Sequence, residues 1–166
     1  TGEVCESSMG SVKEVSASMT DSKGNIWLAL YNNGIEVYDP QERLLHSFNT
    51  SNSALSNNVV LCFTERDGQI WAGTNGGGIN IIDPENGSIR VLSHVSGNPA
   101  SFPAQSIKCI YSDAYGNIWA GSMRDGLIQV SSSQMKTYSE SYFGSKAGMS
   151  NTTVLCLHQD PESRFI

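Results

Sequence analysis

Apolar residues gather along this chain in short runs rich in valine, isoleucine and aromatics, each bounded by clusters of glycine, asparagine, aspartate and serine. Runs of that length and composition predict β-strands, and none is long enough to predict a helix of consequence. A first kind of strand falls at residues 15–20 (VSASMT), 59–64 (VVLCFT), 107–112 (IKCIYS) and 154–159 (VLCLHQ). Each of the first three leads into a polar turn: Asp21-Ser22-Lys23-Gly24, Arg66-Asp67-Gly68 and Asp113-Ala114-Tyr115-Gly116. Gly24, Gly68 and Gly116 suit a tight reversal, because glycine accepts the positive φ such a turn demands. The second strand carries Ile-Trp followed by small residues. A glycine-bearing turn then leads to a third strand, IEVYD, INIID or LIQVS, and a more polar fourth strand falls at 44–48, 89–92 and 135–138.

These strands repeat as a block. DSKGNIWLALYNNGIEVYDP, ERDGQIWAGTNGGGINIIDP and DAYGNIWAGSMRDGLIQVSS are three copies of one unit, with Trp27, Trp71 and Trp119 spaced 44 and 48 residues apart. A period of that length builds one four-stranded propeller blade. The predicted class is all-β: three complete four-stranded antiparallel blades plus the start of a fourth. Residues 1–13 are read as the end of a preceding blade or a linker, 14–48 as blade 1, 58–92 as blade 2, 106–138 as blade 3 and 152–166 as a truncated blade 4. In the fourth unit Asp160 matches Asp113, Ser163 the turn glycine Gly116, Phe165 matches Ile118, and Ile166 falls on the tryptophan position. The tryptophans supply the largest apolar block of each unit and are expected to anchor successive sheets to one another. Three complete blades do not close a ring, so the outer flanks are expected to self-associate or to be covered by remaining blades of the same propeller.

Composition narrows the partners. The chain has 166 residues, 16 acidic against 10 basic, and a net charge of −6 with no basic stripe, which argues against nucleic acid and anionic membranes. No apolar run approaches the roughly 18 residues needed to cross a bilayer, and TGEVCESSMG lacks the features of a signal peptide. The four cysteines, Cys5, Cys62, Cys109 and Cys156, lie more than 40 residues from one another, and the repeat explains three of them, Cys62, Cys109 and Cys156, as small buried residues. Aligning 59–62 with 107–110 puts Cys109 and Cys156 at one strand position and Cys62 one residue further along, facing the other side of the sheet.

Catalytic chemistry finds little support. His46, His94 and His158 fall in different units with no other ligand at metal spacing, and no G-x-S-x-G elbow is present. Neither a cofactor nor a metal is expected. Carboxylates at Asp21, Glu65, Asp113 and Asp160 recur once per unit and are read as turn caps. Asn75-Gly76-Gly77-Gly78 is a hairpin turn without the following helix that a phosphate loop needs. Binding is the better prospect. Successive strands reverse direction, so the turn between strands two and three shares a face with the loop that links one blade to the next. Loops on a rigid scaffold are where recognition is concentrated. That face carries Tyr31, Asn32 and Asn33, then Asn75, then Met123, Arg124 and Asp125, together with Asn57, Asn58, Gln105 and Asn151 from the interblade loops. An aromatic ring, amides and one Arg-Asp pair suit a sugar. Tyr142 and Phe143 are read as residues that pin the last loop or meet a neighbouring blade.

The string D-x-x-G-N-I-W-x-G, a glycine-rich turn, an apolar strand ending in D-P and then N-S-x-L-S-x-N-x-V resembles the two-component regulator propeller repeat. The last element appears as Asn52-Ser53-Ala54-Leu55-Ser56-Asn57-Asn58-Val59-Val60. Departures are Ala29-Leu30 for Gly-Thr, Ser131-Ser132 for Asp-Pro, and the missing glycine of the fourth unit. The resemblance implies the periplasmic sensor region of a hybrid two-component histidine kinase, held at the inner membrane, that detects oligosaccharides and regulates polysaccharide-utilisation genes. It implies no catalysis within this chain. Two alternatives stand beside it: a structural propeller that mediates receptor dimerisation, and a propeller lyase acting on glycans.

Overall fold

The computed structural model of the chain describes residues 14–131, 134–138 and 153–158. Among these residues the structure is entirely β. The first sheet holds β1 (Val15–Thr20), β2 (Ile26–Leu30), β3 (Gly34–Tyr38) and β4 (Leu44–Phe48). The second holds β5 (Val60–Arg66), β6 (Gln69–Thr74), β7 (Ile79–Ile82) and β8 (Ile89–Leu92). The third holds β9 (Ile107–Ser112), β10 (Ile118–Ser122), β11 (Leu127–Val130) and β12 (Met135–Tyr138). Each sheet is a simple antiparallel meander in chain order, here called blades 1, 2 and 3. The sheets meet through their first strands, β1 on β5 and β5 on β9, so they fan out from one side as propeller blades do.

Two apolar layers hold the fan together, one at each blade boundary. Between blades 1 and 2 lie Trp27, Ile35, Val37 and Phe48 from one sheet and Val60, Ile70, Ala72 and Ile82 from the next. Between blades 2 and 3 lie Trp71, Ile79 and Ile81, facing Ile107, Ile110, Ile118 and Ile128. Blade 2 thus divides its side chains by the period of two of a strand, with Ile70 and Ala72 on one face and Trp71 on the other. The interblade loops add a plug to each layer: Leu55 to the first, Phe102 and Ala104 to the second. Asn80, fully buried, ties one loop down by accepting from the Ser56 amide at 2.9 Å and donating to Ser56 Oγ at 2.8 Å.

The hairpin joining the first two strands has two forms. In blade 1, Asp21 Oδ1 accepts from the Lys23 and Asn25 amides, while Oδ2 accepts from Asn25 Nδ2 and from Trp27 Nε1 at 2.9 Å. Asp113 repeats the arrangement with Tyr115, Asn117 and Trp119, the last at 2.8 Å. Burial pulls both carboxyls upward, but the hydrogen bonds from the indole, the asparagine and the amides outweigh it and hold both below the ordinary carboxylate range. A carboxyl depressed in the folded state contributes stability that is complete above its unfolded pKa and is lost as pH falls through the lower folded value. Urea unfolding should therefore show stability declining below about pH 4, with Asp113→Ala flattening that decline and costing about 1–3 kcal/mol at neutral pH.

Blade 2 departs from this form and corrects two sequence expectations. Trp27 and Trp119 pair across the ladder with Met19 and Tyr111, eight residues earlier, whereas Trp71 pairs with Thr64, seven earlier. The second hairpin is one residue shorter, closed by Asp67 and Gly68 with φ of 52° and 73°. Glu65 is consequently a strand residue paired with Ile70, not a turn cap. Its carboxylate reaches back to the Ser22 amide at 2.7 Å and Ser22 Oγ at 2.5 Å in blade 1. Arg66 occupies the position of Asp21 and Asp113. The same shortening brings Cys62 into register with Cys109, because they pair with Gly73 and Gly121, which hold one place in their blades. The expected offset of Cys62 to the opposite face does not occur.

The thiols mark the seam between first strands. Cys62 Sγ lies 3.8 Å from the Ile107 carbonyl and Cys109 Sγ 3.7 Å from that of Val154. Cys62, Cys109 and Cys156 are free, and burial pushes the Cys62 thiol up to about 12 and that of Cys109 up to about 11. Val154 stands to blade 3 as Ile107 stands to blade 2. A side-chain atom placed on Gly121 would meet it at 2.6 Å, just as one on Gly73 would meet Ile107 at 2.8 Å. Residues 153–158 do not form the expected strand among the described residues, although Val154 N donates to the Ser122 carbonyl at 2.9 Å. Cys5, Asn151, Tyr142, Phe143, Asp160, Ser163, Phe165 and Ile166 lie outside the described residues.

Candidate binding cleft

The turns between second and third strands rise on one face, and buried hydroxyls shape two of them. Thr74 Oγ1 donates to the Gly78 carbonyl at 2.9 Å and accepts from the Gly77 amide at 3.1 Å, while Ser122 Oγ accepts from the Asp125 amide at 2.6 Å. Both residues are fully buried and follow the tryptophan by three positions, so the strand end itself fixes each turn. The loop that enters blade 3 then locks the turns side by side. The Gln105 carbonyl accepts from Gly76 N at 3.1 Å and Gly78 N at 2.7 Å, and the Ser106 carbonyl accepts from Met123 N at 3.0 Å. Asn75 and Ser106 form an isolated bridge, reinforced by Ser106 Oγ donating to Asn75 Oδ1 at 3.1 Å.

This lattice frames a cleft of about 480 Å³ between blades 2 and 3. Asn75, Met123, Arg124 and Asp125 line it, as does Gln105. Asn75, Gln105 and Arg124 are exposed, and Met123 and Asp125 are half-buried. Amide, guanidinium and carboxylate groups therefore converge over a rigid backbone, with the methionine side chain as an apolar patch. His94, Pro103 and Ser106 complete the lining. Hydrogen-bonding groups spaced around a partly apolar, pre-formed hollow are the usual makings of a small-ligand site.

Other predicted positions lie elsewhere. Tyr31, Asn32 and Asn33 form the exposed turn of blade 1 and do not line this cleft; Asn32 has a φ of 58°, as a tight turn requires. Asn57 and Asn58 serve the backbone, Asn57 Oδ1 accepting from the Val59 amide and Asn58 Oδ1 from the Thr50 amide, each at 2.8 Å. His94, Pro103 and Ser106 were not anticipated as lining residues. The signal available for them was their membership of the loop that also supplies Gln105.

Three antiparallel meanders fanned about their first strands define blades of a β-propeller. Residues 54–76 and 101–124 match the family model described as two component regulator propeller. The fold is similar to the crystal structure of an extracellular domain described as that of hybrid two component system BT3049 from B. thetaiotaomicron. The match has a TM-score of 0.70 and 24% identity, over 87% of this chain and 20% of that one. The corresponding domain of BT4673 from the same organism matches with a TM-score of 0.68 and 20% identity, over 89% and 19%. Virginiamycin B lyase from Staphylococcus aureus matches with a TM-score of 0.55 and 17% identity, over 76% and 41%. At such identities the likeness is one of fold. The chain spans about a fifth of the length of the two sensor domains. No curated protein matches it.

Proposed function

We propose that these blades belong to the extracytoplasmic sensor propeller of a hybrid two-component system and that the cleft between blades 2 and 3 takes an oligosaccharide. The observation that carries this reading is the convergence of Asn75, Gln105, Arg124 and Asp125 in one hollow of about 480 Å³. Amides and an Arg-Asp pair offer donors and acceptors to sugar hydroxyls, and Met123 offers an apolar surface to a ring face. The repeat family and the extracellular sensor domains of like fold support the setting. The role is recognition, with periplasmic exposure, membrane anchoring and kinase activity supplied by the larger protein, whose output is regulation of polysaccharide-utilisation genes.

Calorimetric titration with a panel of neutral and acidic oligosaccharides tests this. One member is expected to bind saturably, and Arg124→Ala, at an exposed position, is expected to weaken it about tenfold or more while leaving the unfolding midpoint unchanged. Binding unaffected by both Arg124→Ala and Asn75→Ala would remove the cleft from consideration.

A further inference from the structure

On the opposite face of the blades, the middle blade breaks the rule of its neighbours beside a second cavity. In blades 1 and 3 the indole N–H of the repeat tryptophan ends on an aspartate carboxylate, at 2.9 and 2.8 Å. In blade 2 the shortened hairpin puts Arg66 in that position, and a cation cannot accept the bond. Trp71 is only 6% exposed, and its Nε1 has no hydrogen-bond partner among the described residues. A buried donor left unmade costs about 1–3 kcal/mol, so an acceptor brought to it gains accordingly.

Beside Trp71 opens a cavity of about 340 Å³, lined by Arg66, Asp67, Gln69, Trp71, Arg90 and Leu92 of blade 2 and by Val130 and Ser131 of blade 3. The balance of charge there is positive, two guanidiniums against one carboxylate. Asp67 engages only Nε of Arg66, at 3.2 Å, and is itself 82% exposed, so the remaining donors of that planar fork are not committed to it.

We propose that this cavity binds the carboxylate of a small organic acid, of the size of a single sugar acid. The missing group in the blade frame is a carboxylate, and the residues that replace it are those that recognise one: two arginines and an indole donor. The size lies at the lower end of the range for small-molecule sites. The site is separate from the cleft on the turn face and stands or falls independently of it.

Indole resonances in ¹H–¹⁵N spectra, titrated with galacturonate, provide the test, with galactose and sulfate as comparison probes. The indole signal of Trp71, identified by its loss in Trp71→Phe, is expected to shift saturably with galacturonate while those of Trp27 and Trp119 stay in place. Galactose and sulfate are expected to leave all three unmoved. Arg90→Gln, at an exposed position, should weaken the galacturonate effect about tenfold or more, and it keeps the test usable if Trp71→Phe does not fold. No saturable indole shift, an equal shift with galactose or sulfate, or indifference to Arg90→Gln would each overturn the proposal.

Discussion

Replacing Trp27 with alanine should lower the unfolding free energy by about 3–5 kcal/mol, the loss expected when a large core aromatic is truncated. Trp27 is fully buried, its ring is stacked with that of Phe48 at a centroid distance of 6.3 Å, and it meets Phe63 of the next blade edge-on at 6.5 Å. Its indole also satisfies Asp21. Conservative replacement separates the two contributions. Trp27→Phe keeps most of the ring but strands the Asp21 carboxylate, whereas Trp71→Phe removes an N–H that has no partner among the described residues. The first should therefore cost more than the second by about 1–3 kcal/mol in urea unfolding followed by circular dichroism. Equal costs would contradict the assigned role of the Asp-Trp hydrogen bond, and a loss below about 1 kcal/mol for Trp27→Ala would contradict its place in the core.

Gly78→Ala should cost about 3 kcal/mol or more and should also damage the cleft. The residue has a φ of +75°, and an added Cβ would sit 2.1 Å from the carbonyl oxygen of Leu92, a backbone atom that no rotamer change can move aside. Its amide donates to the Gln105 carbonyl at 2.7 Å, so any displacement of Gly78 is passed to the loop that lines the cleft. Gly68→Ala provides the contrast. There φ is +73°, yet nothing lies within 4 Å of the added atom, and only the left-handed backbone penalty of about 1–2 kcal/mol applies. Comparable losses at the two glycines would show that backbone conformation, and not the crowding at Leu92, governs the third-strand turn.

Much of the architecture is legible in the sequence because the repeat pins it. A tryptophan and a turn glycine recurring at near-constant spacing locate the second strand of each blade, and hairpin reversal then assigns each turn to a face. That logic puts Tyr31, Asn32, Asn33, Asn75, Met123, Arg124 and Asp125 on one face, but only the packing of blades 2 and 3 shows that the last four share one opening. The one-residue shortening of the second hairpin escaped it, since Glu65 fits the aspartate position by composition and Val59 fits the strand start as well as Val60 does. Only the ladder, with Trp71 opposite Thr64, shows which register holds. Residues carried by irregular loops were also out of reach. Leu55 and Phe102 become core plugs, and His94 reaches the cleft, through a tertiary path that local periodicity does not encode. The aromatic turn at Tyr31, Asn32 and Asn33 shares the face of the others but sits at the boundary of blades 1 and 2, where Gly34 N donates to the Asn58 carbonyl.

The proposed role in recognition rests on the cleft between blades 2 and 3, and amide shift mapping with the tightest-binding oligosaccharide examines it most directly. The account predicts that the perturbed backbone amides cluster at Asn75, Gln105, Met123 and Asp125, leaving Gly24, Gly68 and Gly116 on the opposite face unmoved. Perturbations gathered on that opposite face, or spread evenly over both, would contradict it.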